Sequence, residues 1–252
     1  MSNKSNKNSF LNLFEAAIST ILPPRCAGTG EIVDIQGAVS PNFWSELQFI
    51  EKPFCKQCGI PFSFEVDENI ICASCIELEP MFDQSRSAVV YNDASRRVIL
   101  NFKFNDKTSL VHTFIPWMVR SGINLINSAD YIIPVPLHHK KLRERRFNQS
   151  ALLAQGVAKK TKTNYLPDGL IRTRYTTPQK GLSKKYRNRN VQGAFAINDP
   201  YLDEFAHTNI LLIDDVFTTG STLNECARIL KNAGAREVNV LTIARVTKDE
   251  FC

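Results

Sequence analysis

The chain has 252 residues, 43% of them hydrophobic and 22% charged, with a formal net charge of +6. That length supports one sizeable core plus a smaller module, or two modest domains, and the balance is that of a soluble globular protein. No apolar run approaches the roughly 20 residues that a membrane-spanning helix needs. The positive charge is concentrated. His138 to Gln192 hold fifteen lysines and arginines against only Glu144 and Asp168, which leaves the remainder net acidic. Such asymmetry suits either a solvated basic loop region or a contact with phosphates or nucleic acid.

The first 24 residues, MSNKSNKNSFLNLFEAAISTILPP, place Phe10, Leu13, Phe14, Ala17, Ile18 and Ile21 at helical spacing. Asn12 and Glu15 interrupt what would be a signal-peptide core, and no small-x-small cleavage site follows. The reading is a polar tail and a short amphipathic helix that docks on the protein. A membrane-surface helix is the weaker alternative, because the segment is short and not very basic. Residues 28–50 have weak periodicity, with FWSELQFI as a short helix.

Next comes FCKQCGIPFSFEVDENIICASC, in which Cys55-x2-Cys58 and Cys72-x2-Cys75 are separated by thirteen residues. Two CxxC pairs at this separation match a zinc ribbon, and Gly59 suits the left-handed turn of a metal knuckle. Four thiolates close a tetrahedral shell, so the Zn2+ is expected to be structural. The alternative is two disulfides, which requires an oxidising compartment. With no export signal visible, a cytoplasmic location is expected. Cys26 has Thr29 where a CxxC partner would stand, so it reads as an ordinary thiol, and Cys226 reads as core.

Pro80 marks a boundary: residues 1–80 form one unit, with the metal module at about 50–80, and residues 81–252 form the other. No internal repeat is visible. In chain order, SAVVYN is a strand. ASRRVILNFKF and TSLVHTFIPWMVRSGINLI are helices, the second kinked or broken at Pro116. YIIPVP is a strand, HHKKLRERRF a basic loop, and NQSALLAQGVAKK a helix starting near Asn148 or Gln149. NYLPDGLIRTR contains a short strand, and GLSKKYRNRNVQGAF is a mobile loop or short helix. NILLIDDV, STLNECARILKNAG and EVNVLTIARV complete a strand–helix–strand unit. Strands alternating with helices imply a mostly parallel α/β sheet.

In LLIDDVFTTGST, residues 211–222, a strand buried on both faces runs into Asp214 and Asp215. Ligands of parallel sheets bind at the carboxyl ends of the strands. A helix starting near Ser221 or Thr222 points free amides and its dipole at that place. Gly220 lets the backbone approach an anion, and Thr218, Thr219, Ser221 and Thr222 add hydroxyls. A phosphate cradle beside two carboxylates that accept from vicinal hydroxyls fits a ribose 5-phosphate. Neither the G-K-[ST] end of a Walker A loop nor G-x-G-x-x-G is present. A merely N-capped helix explains one acid and one hydroxyl but not the unbroken row.

LLIDDVFTTGST resembles the phosphoribosyl-pyrophosphate (PRPP) motif of type I phosphoribosyltransferases. Together with the four-cysteine module, the VPVPL-type strand, RRFNQSALLA and GLSKKYRNRNVQGAF, it makes the chain similar to the ComF family of competence-associated proteins from about Pro23 to Val246. The resemblance implies a type I phosphoribosyltransferase-like α/β fold, a mostly parallel sheet flanked by helices, behind a small N-terminal zinc ribbon. Asp214 and Asp215 are then expected to bind the ribose hydroxyls of PRPP, directly or through Mg2+, and Thr218, Thr219, Gly220, Ser221 and Thr222 its 5-phosphate. Val135-Pro136-Leu137 would face the diphosphate, with Arg143, Arg145, Arg146, Arg187 and Arg189 as cations and residues 178–193 as a lid. Family members often carry further CxxC pairs ahead of the ribbon, of which only Cys26 remains here. Two functions stay open. One is phosphoribosyl transfer to an unidentified acceptor. The other is a non-catalytic protein of DNA uptake that holds single-stranded DNA, meets other DNA-uptake proteins and keeps the PRPP site as a sensor or relic. Stacking aromatics in the basic region are sparse.

Overall fold

The computed structural model describes residues 23–104, 107–175 and 191–247. The expected N-terminal helix, Arg187 and Arg189, and most of the expected lid lie outside them.

Five strands form one all-parallel sheet: β1 (Ser85–Val90), β2 (Tyr131–Pro134), β3 (Asn164–Tyr165), β6 (Asn209–Phe217) and β7 (Glu237–Arg245), in the order β1-β7-β6-β2-β3. A separate antiparallel pair joins β4 (Leu170–Arg172) to β5 (Phe195–Ile197). The continuous apolar run of β6 is explained by burial on both faces. Leu211 and Ile213 enter one core, with α3 (Asp93–Phe104), α4 (Val111–Ser128) and α6 (Gln149–Thr161). Ile210 and Leu212 enter the other, with α7 (Ser221–Asn232), the β4–β5 pair and three of the ribbon cysteines. In α7, Leu223, Cys226, Ala227 and Leu230 recur at helical spacing and are all buried, which docks the helix on the sheet.

Two local expectations are corrected. α4 is not broken at Pro116 but runs through it as one helix. HHKKLRERRF contains a helix, α5 (His139–Arg145), with no buried residue. Its start is set by His138, whose Nδ1 accepts from the Lys140 amide at 3.3 Å, and it ends at Arg146 with φ 65°. A helix without an apolar stripe leaves no periodic signal in the sequence.

The N-terminal region also holds a repeat that the sequence conceals. In the first copy, the Cys26 amide donates to Glu31 O at 2.7 Å, the Gly30 amide to Cys26 O at 3.0 Å, and the Val33 amide to Pro24 O at 2.9 Å. In the second, the Cys55 amide donates to Ile60 O at 2.8 Å, the Gly59 amide to Cys55 O at 2.9 Å, and the Phe62 amide to Pro53 O at 3.0 Å. Gly30 and Gly59 both have positive φ, 78° and 70°, as the knuckle requires. Each copy then enters a one-and-a-half-turn helix, α1 (Pro41–Glu46) and α2 (Ala73–Leu78). The N-caps match as well: Ser40 has φ −67°, ψ 154° and Cys72 has φ −70°, ψ 154°. By these hydrogen bonds and caps, Cys26, Thr29, Ser40 and Phe43 occupy the positions that correspond to Cys55, Cys58, Cys72 and Cys75.

Candidate functional site

At the carboxyl end of the sheet, Val135 continues β2 and donates its amide to Ile213 O at 2.9 Å, so the Val135-Pro136-Leu137 segment lies against β6. Asn148 accepts the Ser150 amide at 3.1 Å, which starts α6, and donates Nδ2 to Val135 O at 3.0 Å. The helix start and the strand end are thereby locked together.

The two aspartates find different partners. Strand alternation sends Asp215 to the face of Leu211 and Ile213, where the Lys103 ammonium of α3 meets its Oδ2 at 2.8 Å. Asp214 Oδ1 accepts from the Ser150 hydroxyl at 2.8 Å and from the Asp215 amide at 2.9 Å. Burial, and then the neighbouring charge of Asp215, push the Asp214 carboxyl up from 3.8 to about 7. Arg172 is a further cation of this region: burial disfavours its charge, the carboxylate of Asp214 favours it, and its guanidinium lies 5.0 Å from the Phe195 ring centroid.

Beyond them, Thr218 to Thr222 form the turn into α7. Gly220 is the N-cap at φ 76°, ψ 0°, a conformation that disfavours side chains, and a Cβ there would sit 2.8 Å from the Phe217 ring. The Thr219 and Ser221 hydroxyls lie 2.8 Å apart. The free amides of the first α7 turn open on the same side. The buried Glu225 of α7 accepts the Gly193 amide at 2.8 Å and is held by Arg228 at 2.7 Å, so the chain returning from residue 190 is pinned to this helix.

The three predicted arginines of residues 143–146 lie on or just after α5, which leaves the same sheet edge. Arg145 donates to Gln149 Oε1 at 3.2 Å and lies over the Phe104 ring at 5.1 Å. Lys103, Ser150 and Arg172 are the site residues that sequence reasoning missed. No local pattern marks them, because each belongs to a segment distant in sequence: Lys103 and Ser150 touch the aspartates, and Arg172 feels the charge of Asp214.

The four predicted cysteines come together, their sulfurs all within 4.8 Å. Cys55 to Cys75 is 3.9 Å and Cys58 to Cys72 is 3.7 Å. A Zn–S bond of about 2.3 Å puts the sulfurs of a tetrahedron about 3.8 Å apart, whereas a disulfide would be about 2.05 Å. The Cys58 and Cys72 amides donate to the Cys55 sulfur at 3.5 and 3.3 Å. This set fits a structural zinc and overrides the disulfide alternative. The first ribbon does not fit one. Two hydroxyls and a phenyl ring stand in place of three thiols, and the four second-ribbon cysteines are the sole metal-capable cluster among the described residues.

A parallel sheet that ends in an acidic pair and a hydroxyl-rich turn, preceded by a four-cysteine ribbon, defines a phosphoribosyltransferase-type domain with a zinc-ribbon module. Residues 150–251 match the family described as phosphoribosyl transferase domain, and residues 17–76 match the double zinc ribbon domain. The chain is 31% identical over 198 residues to competence protein F of Haemophilus influenzae, covering 77% of this chain and 85% of that one. It is 30% identical to competence protein ComFC of Bacillus subtilis, covering 80% and 81%. It is 28% identical to DNA utilization protein YhgH of Escherichia coli K12, covering 77% and 85%. Among solved structures, an adenine phosphoribosyltransferase matches 58% of this chain and 75% of its own at 14% identity, with a TM-score of 0.35. The chain belongs to the ComF family of competence protein F homologues.

Proposed function

We propose that this protein binds PRPP with Mg2+ at the carboxyl edge of its sheet, transfers the phosphoribosyl group to an acceptor, and acts in DNA uptake. One observation carries the reading: the Asp214–Asp215 pair and the Thr218–Thr222 turn lie two residues apart at one strand end, and the turn leads directly into the N-terminus of α7. A diol and a phosphate on one ribose need that adjacency. In this reading Asp214 and Asp215 hold the ribose hydroxyls and the metal, and Thr218, Thr219, Gly220, Ser221 and Thr222 hold the 5-phosphate. Arg143, Arg145 and Arg146 face the diphosphate, joined by Arg187 and Arg189 from the segment before Gly193. Mg2+ supplies charge neutralisation on the leaving diphosphate. The diphosphate departs with the electron pair of the C1–O bond, and the acceptor bonds to C1 and loses a proton. Residues 1–80 and 81–252 act as two functional units. A ribbon of reduced thiolates suits the cytoplasm.

The relatives, a competence protein and a DNA utilization protein, support a second reading in which single-stranded DNA binds the basic surface and the PRPP site serves as sensor. Its structural support is α5, which exposes Lys140 and Arg143 and half-buries Lys141 and Arg145, with Tyr175 5.2 Å from His138 and 5.5 Å from the Lys140 ammonium. One experiment tests both readings. PRPP with Mg2+ raises the melting temperature, because a ligand of the folded state stabilises it. Asp214→Asn with Asp215→Asn abolishes that shift and leaves salt-sensitive binding of single-stranded DNA unchanged. Diphosphate release on adding an acceptor separates transfer from sensing. No shift at millimolar PRPP defeats the PRPP reading.

A further inference from the structure

The end of β7 carries a buried guanidinium that the ribose-phosphate reading does not use. Arg245 donates Nη1 to Cys58 O at 2.6 Å and Nη2 to Cys58 Sγ at 3.2 Å. Among the described residues it forms no ion pair with a carboxylate, and its Nε has no hydrogen-bond partner. A buried cation needs a counter-charge. The anionic group beside it is the cysteine centre, since four thiolates around one zinc leave a net negative charge.

The other face of the same guanidinium lies 4.1 Å from the Phe217 ring centroid. Val216 and Phe217 separate the aspartates from the Thr218–Thr222 turn, and Phe217 adjoins the turn. Its backbone pairs with Arg245 across β6 and β7, and the Val246 amide donates to its carbonyl at 2.9 Å. Its ring packs beneath Gly220. Phe82, which follows the ribbon, closes edge-on at 5.8 Å. A continuous chain of contacts therefore runs from Cys58 through Arg245 and Phe217 to Gly220.

We infer that Arg245 is a positioning residue that couples the cysteine centre to the phosphate-facing turn, so that an intact metal site sets the turn's affinity for a sugar phosphate. The inference rests on reading that turn as the phosphate cradle. Arg245 holds the metal side by hydrogen bonding and charge, and the loop side by stacking on Phe217, which fixes the height of Gly220 beneath a bound phosphate. Arg86 provides the internal control. It faces the same thiols electrostatically, but it donates to Lys56 O and Ser85 O and lies over Phe54, away from Phe217.

The test uses the full zinc-loaded chain. Zinc affinity is read by competition with a chromogenic chelator, and loop affinity by calorimetric titration with ribose 5-phosphate. Arg245→Met lowers both, each by about tenfold, and Arg245→Lys restores zinc affinity more than loop affinity. Arg86→Met lowers zinc affinity alone, and Phe217→Leu lowers loop affinity alone. In the wild-type chain loaded with cadmium instead of zinc, the cadmium NMR resonance shifts on adding ribose 5-phosphate, a readout that stands whether or not the variants fold. Wild-type binding with loop affinity unchanged in Arg245→Met, or with no cadmium shift, overturns the coupling and leaves the site reading intact. A wild-type chain that binds neither ribose 5-phosphate nor PRPP overturns the site reading itself, and the coupling with it.

Discussion

The Ser40 hydroxyl lies 3.5 Å from the Cys26 sulfur and 3.0 Å from the Thr29 hydroxyl, where the second ribbon brings its thiols together. The fourth corner is Phe43, fully buried, with Gly28 so close that a Cβ there would be 2.1 Å from its ring. Hydrogen bonds and an aromatic plug thus close a metal knuckle without metal. The chain is expected to hold one zinc by elemental analysis, and Thr29→Cys with Ser40→Cys and Phe43→Cys to hold a second. Ser40→Ala also removes the α1 cap on the Phe43 amide, at a cost of about 0.5–2 kcal/mol in urea unfolding. Two zincs in the natural chain would defeat this account.

That concealed ribbon marks where sequence legibility stops. Cys55, Cys58, Cys72 and Cys75 were legible because zinc demands thiols at fixed spacing. In the first ribbon three of the four positions have changed chemistry, and the surviving signal is backbone geometry, which spacing rules do not see. The same contrast holds at the site. Asp214, Asp215 and the turn that follows were readable because one strand end must carry them in sequence. Lys103 and Ser150 reach the aspartates from α3 and α6, and only the packing of those helices on β6 reveals them. α5 leaves no helical signal in the sequence because a polar cap starts it and no apolar face supports it.

The Lys103–Asp215 pair at 2.8 Å is largely shielded from water, and each partner is the other's counter-charge. Lys103→Met is expected to destabilise the fold by about 1–3 kcal/mol, since it strands a buried carboxylate. Asp215→Asn in the Lys103→Met background is expected to recover part of that loss. A double-mutant cycle in urea measures the coupling. A coupling near zero would mean that the two groups do not meet in solution. Lys103→Met is also expected to weaken PRPP binding in calorimetry, because the ammonium is ion-paired with a member of the acidic pair.

The raised Asp214 carboxyl, at about 7, has a defined pH signature. The folded state keeps this proton between about pH 4 and 7, whereas the unfolded chain has already released it. The native state therefore binds more protons, and stability falls as pH rises through that window. Other carboxylates act in the opposite sense, so the diagnostic quantity is a difference. Asp214→Asn cannot ionise and keeps an oxygen to accept from Ser150. It is expected to match the wild type near pH 4 and to gain on it by up to about 1.4 kcal/mol for each pH unit until about pH 7, where the gap levels off. Ligand binding carries the mirror image. An ionised Asp214 is the better acceptor for ribose hydroxyls and metal, so PRPP affinity rises between pH 6 and about 8 while protons are released. Calorimetry in buffers of different ionisation enthalpy counts those protons. A pH-independent affinity with no proton release would show that Asp214 is already ionised in the free protein.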